Sequence, residues 1–356
     1  MSPTSASALL LAALTALSSA GAPAPSHRQN PPSQAQQERT EPDLARPLRW
    51  LLQAQGNDGG WGQEAGAPAD VATTSLSGIA LLRLGKTSQG ESLTEPTRRA
   101  LLYVVRAVER APEPDAYIQP EGTQPQRKLG RGIDTFLAAQ FLGEAIPGMP
   151  AGSERDRART ALDRCVAKIQ ALQRDDGSFA KDGWAPVLSS AFASRSLYVA
   201  RDAGAKVAPQ ALAASDEYML RGYDKERKVF KTNDAAGVAL YQAAGSLDAA
   251  ARSGKMADAP AQAARAHLED EAFVRGFGSY GGEEHVSYLL STEAFAKAGG
   301  DEWGKWSKSI RARLANIQRA DGTWRGDHCI TSTSFCTAAS LITLAIRPGG
   351  LPVNRG

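Results

Sequence analysis

The sequence has 356 residues, 42% hydrophobic and 22% charged, which is the balance of a soluble globular chain with length for two average domains or one large repeat domain. Forty-one basic residues against 38 acidic ones leave a formal charge of +3, too even for a nucleic-acid surface, and no basic run or interleaved aromatic platform changes that. No stretch approaches the roughly twenty apolar residues of a transmembrane helix.

In chain order, a short apolar run at 8–17 is followed by Ala20-Gly21-Ala22, a small-x-small cleavage pattern, so residues 1–22 read as an export signal, although no Lys or Arg precedes the run. That predicts a periplasmic or secreted protein. Residues 23–42 are rich in Pro, Gln and Ser and read as a linker. From 43 to 346 helical periods alternate with Gly- and Asp-bearing loops, without convincing strand alternation, and 347–356 form a tail. The helical region divides into six units. Their predicted helix pairs are 45–55 with 71–84, 97–110 with 135–145, 157–173 with 188–202, 209–221 with 235–244, 261–274 with 286–298, and 303–318 with 331–346.

The first helix of each pair is the more charged, with Arg98, Arg99, Arg106, Glu109, Arg157, Arg164 and Lys168 marking a wet face. The second helices carry strings such as TTSLSGIA at 73–80 and STSFCTAAS at 332–340, small around most of their circumference. Such a helix is packed on nearly all sides. One inner and one outer ring of six helices is the simplest arrangement, which makes the predicted fold all-α, an α/α toroid (α6/α6 barrel).

Three loops share a motif. Gln55 precedes Gly59 and Trp61, Gln173 precedes Gly177 and Phe179, and Gln318 precedes Gly322 and Trp324, with apolar Leu51, Ile169 and Leu314 four residues before each Gln. The Asp-Gly pair is expected to end the outer helix, because Gly accepts the left-handed conformation that stops it. The aromatic is expected to pack against the adjacent repeat. The motif is degenerate at Gly278-Ser279-Tyr280 and barely visible in units two and four.

This apolar-x3-Gln-x3-Gly-x-aromatic pattern resembles the repeat of squalene and oxidosqualene cyclases and of protein prenyltransferase β subunits, over residues 43–346. The resemblance implies a toroid of six helix pairs, and fold alone does not settle function. A triterpene cyclase of that superfamily would carry an Asp-x-Asp-Asp acid and an aromatic-lined cavity. Here the string is absent, and the second helices carry few rings beyond Phe136, Phe141, Phe192, Tyr198, Tyr241 and Phe335. Relative to a prenyltransferase, Glu283-Glu284-His285 falls near the family's Asp-x-Cys zinc ligands, but Ser332 stands near the His position. The Gly-Cys-Gly-Glu-Gln string of complement-like thioester domains is also absent.

What remains is a concentration of reactive residues where loops lead into the last two inner helices: Glu283 and His285 in unit five, and Asp327, His328 and Cys329 in unit six. Parallel inner helices place their electropositive N-termini on one rim. Carboxylate, imidazole and thiolate together would suit Zn²⁺; the alternative is ordinary caps and solvated rim residues. Asp70 and Asp134 hold the corresponding places in units one and two, as ligand-binding carboxylates with Glu283, as an acid and base acting on a glycan, or as caps. Arg195 would hold an anion in the cavity or extend to the rim. Cys329 and Cys336 could be bridged if Cys329 lies in the loop before the helix, leaving Cys165 over; free thiols are the alternative. The expected function is non-catalytic binding or scaffolding through the central cavity or the rim, for a small-molecule, lipid or protein ligand. The alternative is a metal- or carboxylate-dependent reaction at the rim on an isoprenoid or glycan.

Overall fold

The computed structural model describes residues 41–85, 93–113, 115–179 and 181–347; the export-signal segment, nearly all of the linker and the tail from 348 lie outside them. The helices are α1 (Ala45–Gln53), α2 (Val71–Leu84), α3 (Glu95–Arg110), α4 (Gln124–Leu129), α5 (Ile133–Ala145), α6 (Ser153–Ala171) and α7 (Pro186–Asp202). After α8 (Pro209–Leu220) comes a hairpin of β1 (Tyr223–Asp224) and β2 (Val229–Phe230). The chain continues through α9 (Ala239–Ser253), α10 (Ala259–His267), α11 (Glu271–Val274), α12 (Gly282–Ala298), α13 (Gly300–Ile317) and α14 (Thr333–Ala345).

Helices α2, α5, α7, α9, α12 and α14 form a closed inner ring, each packed on the next and α14 returning to α2. Their composition requires this. In α2 every residue from Val71 to Leu81 is buried, and α5 and α14 are buried almost throughout, so no face is left for solvent. The outer helices are half wet. α3, α6, α10 and α13 lie mainly on the inner helix of the preceding unit, α8 straddles α7 and α9, and α1 packs on α14. The first outer helix therefore closes the ring on the last inner one. Proline stands in the first turn of α3, α4, α7, α8 and α10, where its missing N–H is not needed.

The inner helices run parallel, and hydrogen bonds link their N-terminal ends all the way round. Asp134 Oδ1 accepts from Ala72 N (3.1 Å), Lys128 O from Trp184 N (2.9 Å), and Asp234 O from Val187 N (2.8 Å). The circuit continues with Tyr241 Oη donating to Glu284 Oε1 (2.5 Å), Gly282 N to Ile330 O (2.9 Å) and Ser334 N to Gln63 O (3.3 Å).

The repeated turn works differently from the sequence expectation. α1, α6 and α13 end at Gln53, Ala171 and Ile317, several residues before Gly59, Gly177 and Gly322, so the glycines do not stop these helices. They sit at φ of 93°, 84° and 87°, where a Cβ would stand 2.5 Å from Arg99 O, 2.1 Å from Ala214 O and 2.6 Å from Arg46 Cβ. Each glycine thus admits the backbone of the next outer helix. The Gln fastens the same joint. Gln55 Nε2 donates to Gly59 O and Pro96 O (both 2.9 Å), Gln173 to Gly177 O and Ala211 O (3.4 and 2.8 Å), and Gln318 to Gly322 O and Asp43 O (2.8 and 2.6 Å). Phe179 packs against the adjacent unit as expected, edge-on to Phe136 of α5 at 6.0 Å between ring centroids, while the two tryptophans are also hydrogen-bonded within their own units. Trp61 Nε1 donates to Leu51 O and its backbone N–H to Thr74 Oγ1, while Trp324 repeats this with Leu314 O and Thr337 Oγ1. The apolar residue four before the Gln supplies the carbonyl that receives the indole.

Other boundaries shift for local reasons. The inner helix expected at 235–244 is α9, which starts later because Ala236 and Gly237 turn at φ of 52° and 80°. It runs on past Gly245 through an alanine run to Gly254, whose left-handed conformation caps it. The segment expected as one helix at 261–274 breaks into α10 and α11, because the Asp270 side chain accepts from Ala272 N (2.8 Å) and starts a new turn. α4 and the hairpin were not predicted; six residues and two two-residue strands are too short to show a period.

Candidate functional site at the rim and lumen

Charged residues about three turns into the inner helices fill the lumen at its C-terminal end. Arg83 on α2 makes a two-pronged pair with Glu144 on α5 (Nη2–Oε1 2.6 Å, Nε–Oε2 2.9 Å) and reaches Glu293 on α12 (Nη1–Oε1 2.7 Å). Arg195 on α7 pairs with Asp248 on α9 (3.2 Å) and with Glu293, and Arg252 pairs with Asp248 at 3.0 Å. α2 and α12 are separated in the ring by α14, and α7 and α12 by α9, so these contacts can only cross the lumen. Three arginines meet three carboxylates, all at least four-fifths buried. Burial opposes the charge of Glu144, but Arg83 outweighs it and holds the carboxyl below its ordinary range. Arg195 is 1% exposed, neither open to an incoming anion nor extended to the rim, since the protein's own carboxylates hold it.

Two recesses lie among the outer elements. One of about 460 Å³ sits at the end of α6 beside Tyr117, Lys181 and Asp182, and another of about 460 Å³ lies between α10 and α13 over Phe295 and Trp306.

At the opposite end the sequence candidates separate. Glu283 is fully buried; Oε2 accepts from Ile330 N (3.3 Å) and Oε1 has no partner among the described residues. Burial, reinforced by the neighbouring Glu284 charge, raises its carboxyl to about 7. Glu284 holds two loops, accepting from Gly281 N (2.8 Å) and Phe277 N (3.2 Å), with His328 Nε2 3.6 Å away. His285 turns into the α12–α14 seam, its Nδ1 2.9 Å from Ser340 Oγ, and burial pushes its pKa down to about 3. Asp327 is exposed and accepts from Tyr280 N (3.3 Å). Cys329 lies in the loop before α14 at φ 54°, with its thiol pushed up to about 11 by burial and then by Glu283. All three cysteines are free. Among the described residues no three His, Cys, Asp or Glu side chains are grouped as a metal-ligand set. Neighbours in sequence at a helix start point in different directions, which spreads Glu283, Glu284 and His285 over three environments.

Asp70 and Asp134 do come together. Asp70 caps α2 through Thr73 N (2.7 Å), and Asp134 caps the same helix from α5 through Ala72 N. Gln126 Nε2 donates to the other Asp134 oxygen at 2.6 Å. Burial raises Asp70 to about 6, and burial with the Asp70 charge raises Asp134 to about 8. The pair could exchange a proton near neutrality, yet both Asp134 oxygens are already engaged, one by Ala72 N at the start of α2 and the other by Gln126 Nε2.

Sequence reasoning missed the lumen network, whose signal was one charge recurring late in helices otherwise small and apolar. It also missed Trp184 and Phe277, exposed by 40% and 53% and in edge-to-face contact at 5.8 Å between ring centroids.

The described residues contain no helix long and apolar enough to cross a membrane. No protein-family profile matches the sequence, and no curated protein does. Among solved structures, the chain is similar to the type II terpene cyclase MstE from Scytonema in its apo form, with 15% identity over 85% of this chain and 96% of that one and a TM-score of 0.50. A variant of the same enzyme in complex with its substrate, geranylgeranyl dihydroxybenzoate, aligns over 85% and 95% with 14% identity and a TM-score of 0.47. The chain has the fold of a terpene cyclase.

Proposed function

We propose that the chain is a divergent, exported relative of the cyclase and prenyltransferase superfamily, and a binding or scaffold protein that works through its N-terminal rim. The observation that carries this reading is the set of ion pairs through Glu293, which occupies the lumen where a cyclase of this fold would need space for an isoprenoid. The missing Asp-x-Asp-Asp string and the scattered zinc candidates point the same way. The raised Asp134 carboxyl supports acid chemistry as a second reading, against which its capping bonds weigh.

The test is incubation of purified protein with squalene, geranylgeranyl diphosphate and geranylgeranyl dihydroxybenzoate, followed by product extraction and native mass spectrometry. Unchanged substrate and a ligand-free protein mass are expected. A cyclised or transferred product, lost in Asp134→Asn, would replace the binding reading with the acid one.

A further inference from the structure

The positive charge of the chain is concentrated in one short element. Between Arg221 and Lys231 stand five basic residues and two acidic ones, a surplus of +3 that equals the formal charge of all 356 residues, so the remainder of the chain is neutral. The element is the β1–β2 hairpin with its flanks, in the loop that leads from α8 into α9 and therefore on the N-terminal rim. Lys225, Arg227, Lys228 and Lys231 are all exposed, and none of them makes an ion pair among the described residues. Asp224 folds back on the turn, accepting from Glu226 N (3.1 Å) and Arg227 N (3.0 Å). The hairpin is anchored: Tyr223 and Phe230 pack at 5.1 Å between ring centroids, Phe230 meets His267 of α10 edge-on at 5.8 Å, and His267 stacks on Phe273 of α11 at 4.9 Å. The carboxylates of that α10–α11 segment are taken up, Glu269 by Lys305, Asp270 by Ala272 N and Glu271 by Arg313.

We propose that this hairpin docks the N-terminal rim on an anionic phospholipid surface, which rests on the rim-binding reading and names its partner. Each Lys or Arg brought to such a surface strengthens attachment about fivefold. The attraction fades over a Debye length of about 10 Å at 0.1 M salt, so the cations must stand at the contact, as an exposed hairpin lets them. Val229 follows Lys228 and is 48% exposed, an apolar side chain among cations that can enter the boundary between headgroups and acyl chains. The other large apolar side chains exposed among the described residues lie at the same end of the ring: Leu52 in the last turn of α1, and Trp184 and Phe277 in the loops before α7 and α12. These four are spread over units one, three, four and five, a distribution suited to a plane and too wide for one bound peptide. With no helix among the described residues long and apolar enough to cross a bilayer, the attachment is peripheral.

The experiment sediments the full chain with vesicles of equal parts phosphatidylcholine and phosphatidylglycerol, and with phosphatidylcholine vesicles, at about 0.05 M and about 0.5 M salt. The anionic vesicles should carry the protein down at low salt and release it at high salt, and the neutral ones should leave it in solution. Lys225→Gln/Lys228→Gln should lower the partition coefficient about twentyfold, and adding Arg227→Gln and Lys231→Gln should lower it about a hundredfold or more, with unchanged circular dichroism. Val229→Ser should weaken binding and leave its salt dependence as it was. Lys206→Gln/Lys255→Gln/Lys305→Gln/Lys308→Gln removes the same charge from exposed positions towards the other end of the ring and should keep the binding. No sedimentation with anionic vesicles, equal sedimentation with both kinds, binding that survives the hairpin variant or an equal loss in the control variant overturns the proposal, as does retention on polyglutamate in place of vesicles. If no vesicle binds and no isoprenoid is turned over, only the partner class fails; isoprenoid turnover defeats the rim-binding reading itself.

Discussion

Arg83 Nη1 lies 2.7 Å from Glu293 Oε1 and ties α2 to α12 across the lumen, past the helix that separates them in the ring. The same Glu293 holds Arg195 and lies 3.4 Å from Arg252, so a single carboxylate joins all three arginines of the network. Glu293→Gln leaves buried positive charge without its counter-charge and should destabilise the fold by about 3–5 kcal/mol. Glu109→Gln, which breaks the exposed pair with Arg157, should cost less than about 1 kcal/mol. Urea unfolding of both variants checks the contrast, and equal losses would mean the lumen network is not desolvated.

Asp134 makes stability fall as the solution becomes alkaline. Its folded-state pKa of about 8 stands above the unfolded value of 3.8, so between those limits the folded protein holds a proton that the unfolded chain has released. Stability should decline as pH rises through that window, and Asp70 and Glu283, raised to about 6 and about 7, act in the same direction. Asp134→Asn should flatten the slope. Denaturant midpoints at pH 5.5 and 8.5 decide it, and a wild-type midpoint no lower at 8.5 refutes the assignment.

His285 acts on the acid side. Its folded pKa of about 3 lies below the unfolded 6.5, so the unfolded chain takes up a proton first and stability is lost as pH falls from about 6.5 towards 3. His285→Gln should move the acid-unfolding midpoint to lower pH, as followed by circular dichroism. A midpoint that does not move, or rises, counts against a buried neutral imidazole.

Gly177 and Gly66 share a left-handed backbone, at φ of 84° and 79°, but not surroundings. A Cβ at Gly177 would stand 2.1 Å from Ala214 O on α8, whereas nothing lies within 4 Å at Gly66. Gly66→Ala should cost about 1 kcal/mol from backbone strain alone, and Gly177→Ala several-fold more, because a helix must move. Thermal melts of the two variants measure the difference.

Gln318 closes the ring by exchanging hydrogen bonds with Asp43, donating to its carbonyl at 2.6 Å and accepting from its N–H at 3.0 Å. At about 1 kcal/mol for each bond lost, Gln318→Ala should cost about 2–3 kcal/mol, counting the one to Gly322. Amide exchange in α1 should accelerate before that of α5. Uniform acceleration across the chain would show that the closure is not local. Trp324→Phe should cost less, since unit three already uses Phe179 at this place without the indole bond.

The sequence alone determined the toroid and the identity of its joints. Small residues on every face of the second helices require burial on every side, and Gln, Gly and aromatic at fixed spacing fasten neighbouring helices through local geometry that the chain order encodes. Only the tertiary structure decided what the charged residues do. Arg195 could not be read as a partner of Glu293, because 98 positions and an intervening helix separate them. Nor could Trp184 be paired with Phe277 before two loops were seen to meet across the mouth. Glu283 and His285 looked like a joint ligand set from their spacing, yet the first turn of α12 sends one beneath the loop before α14 and the other towards Ser340. Spacing along a chain sets which residues share a helix face; contacts across a ring depend on how six helices close, which no single helix period contains.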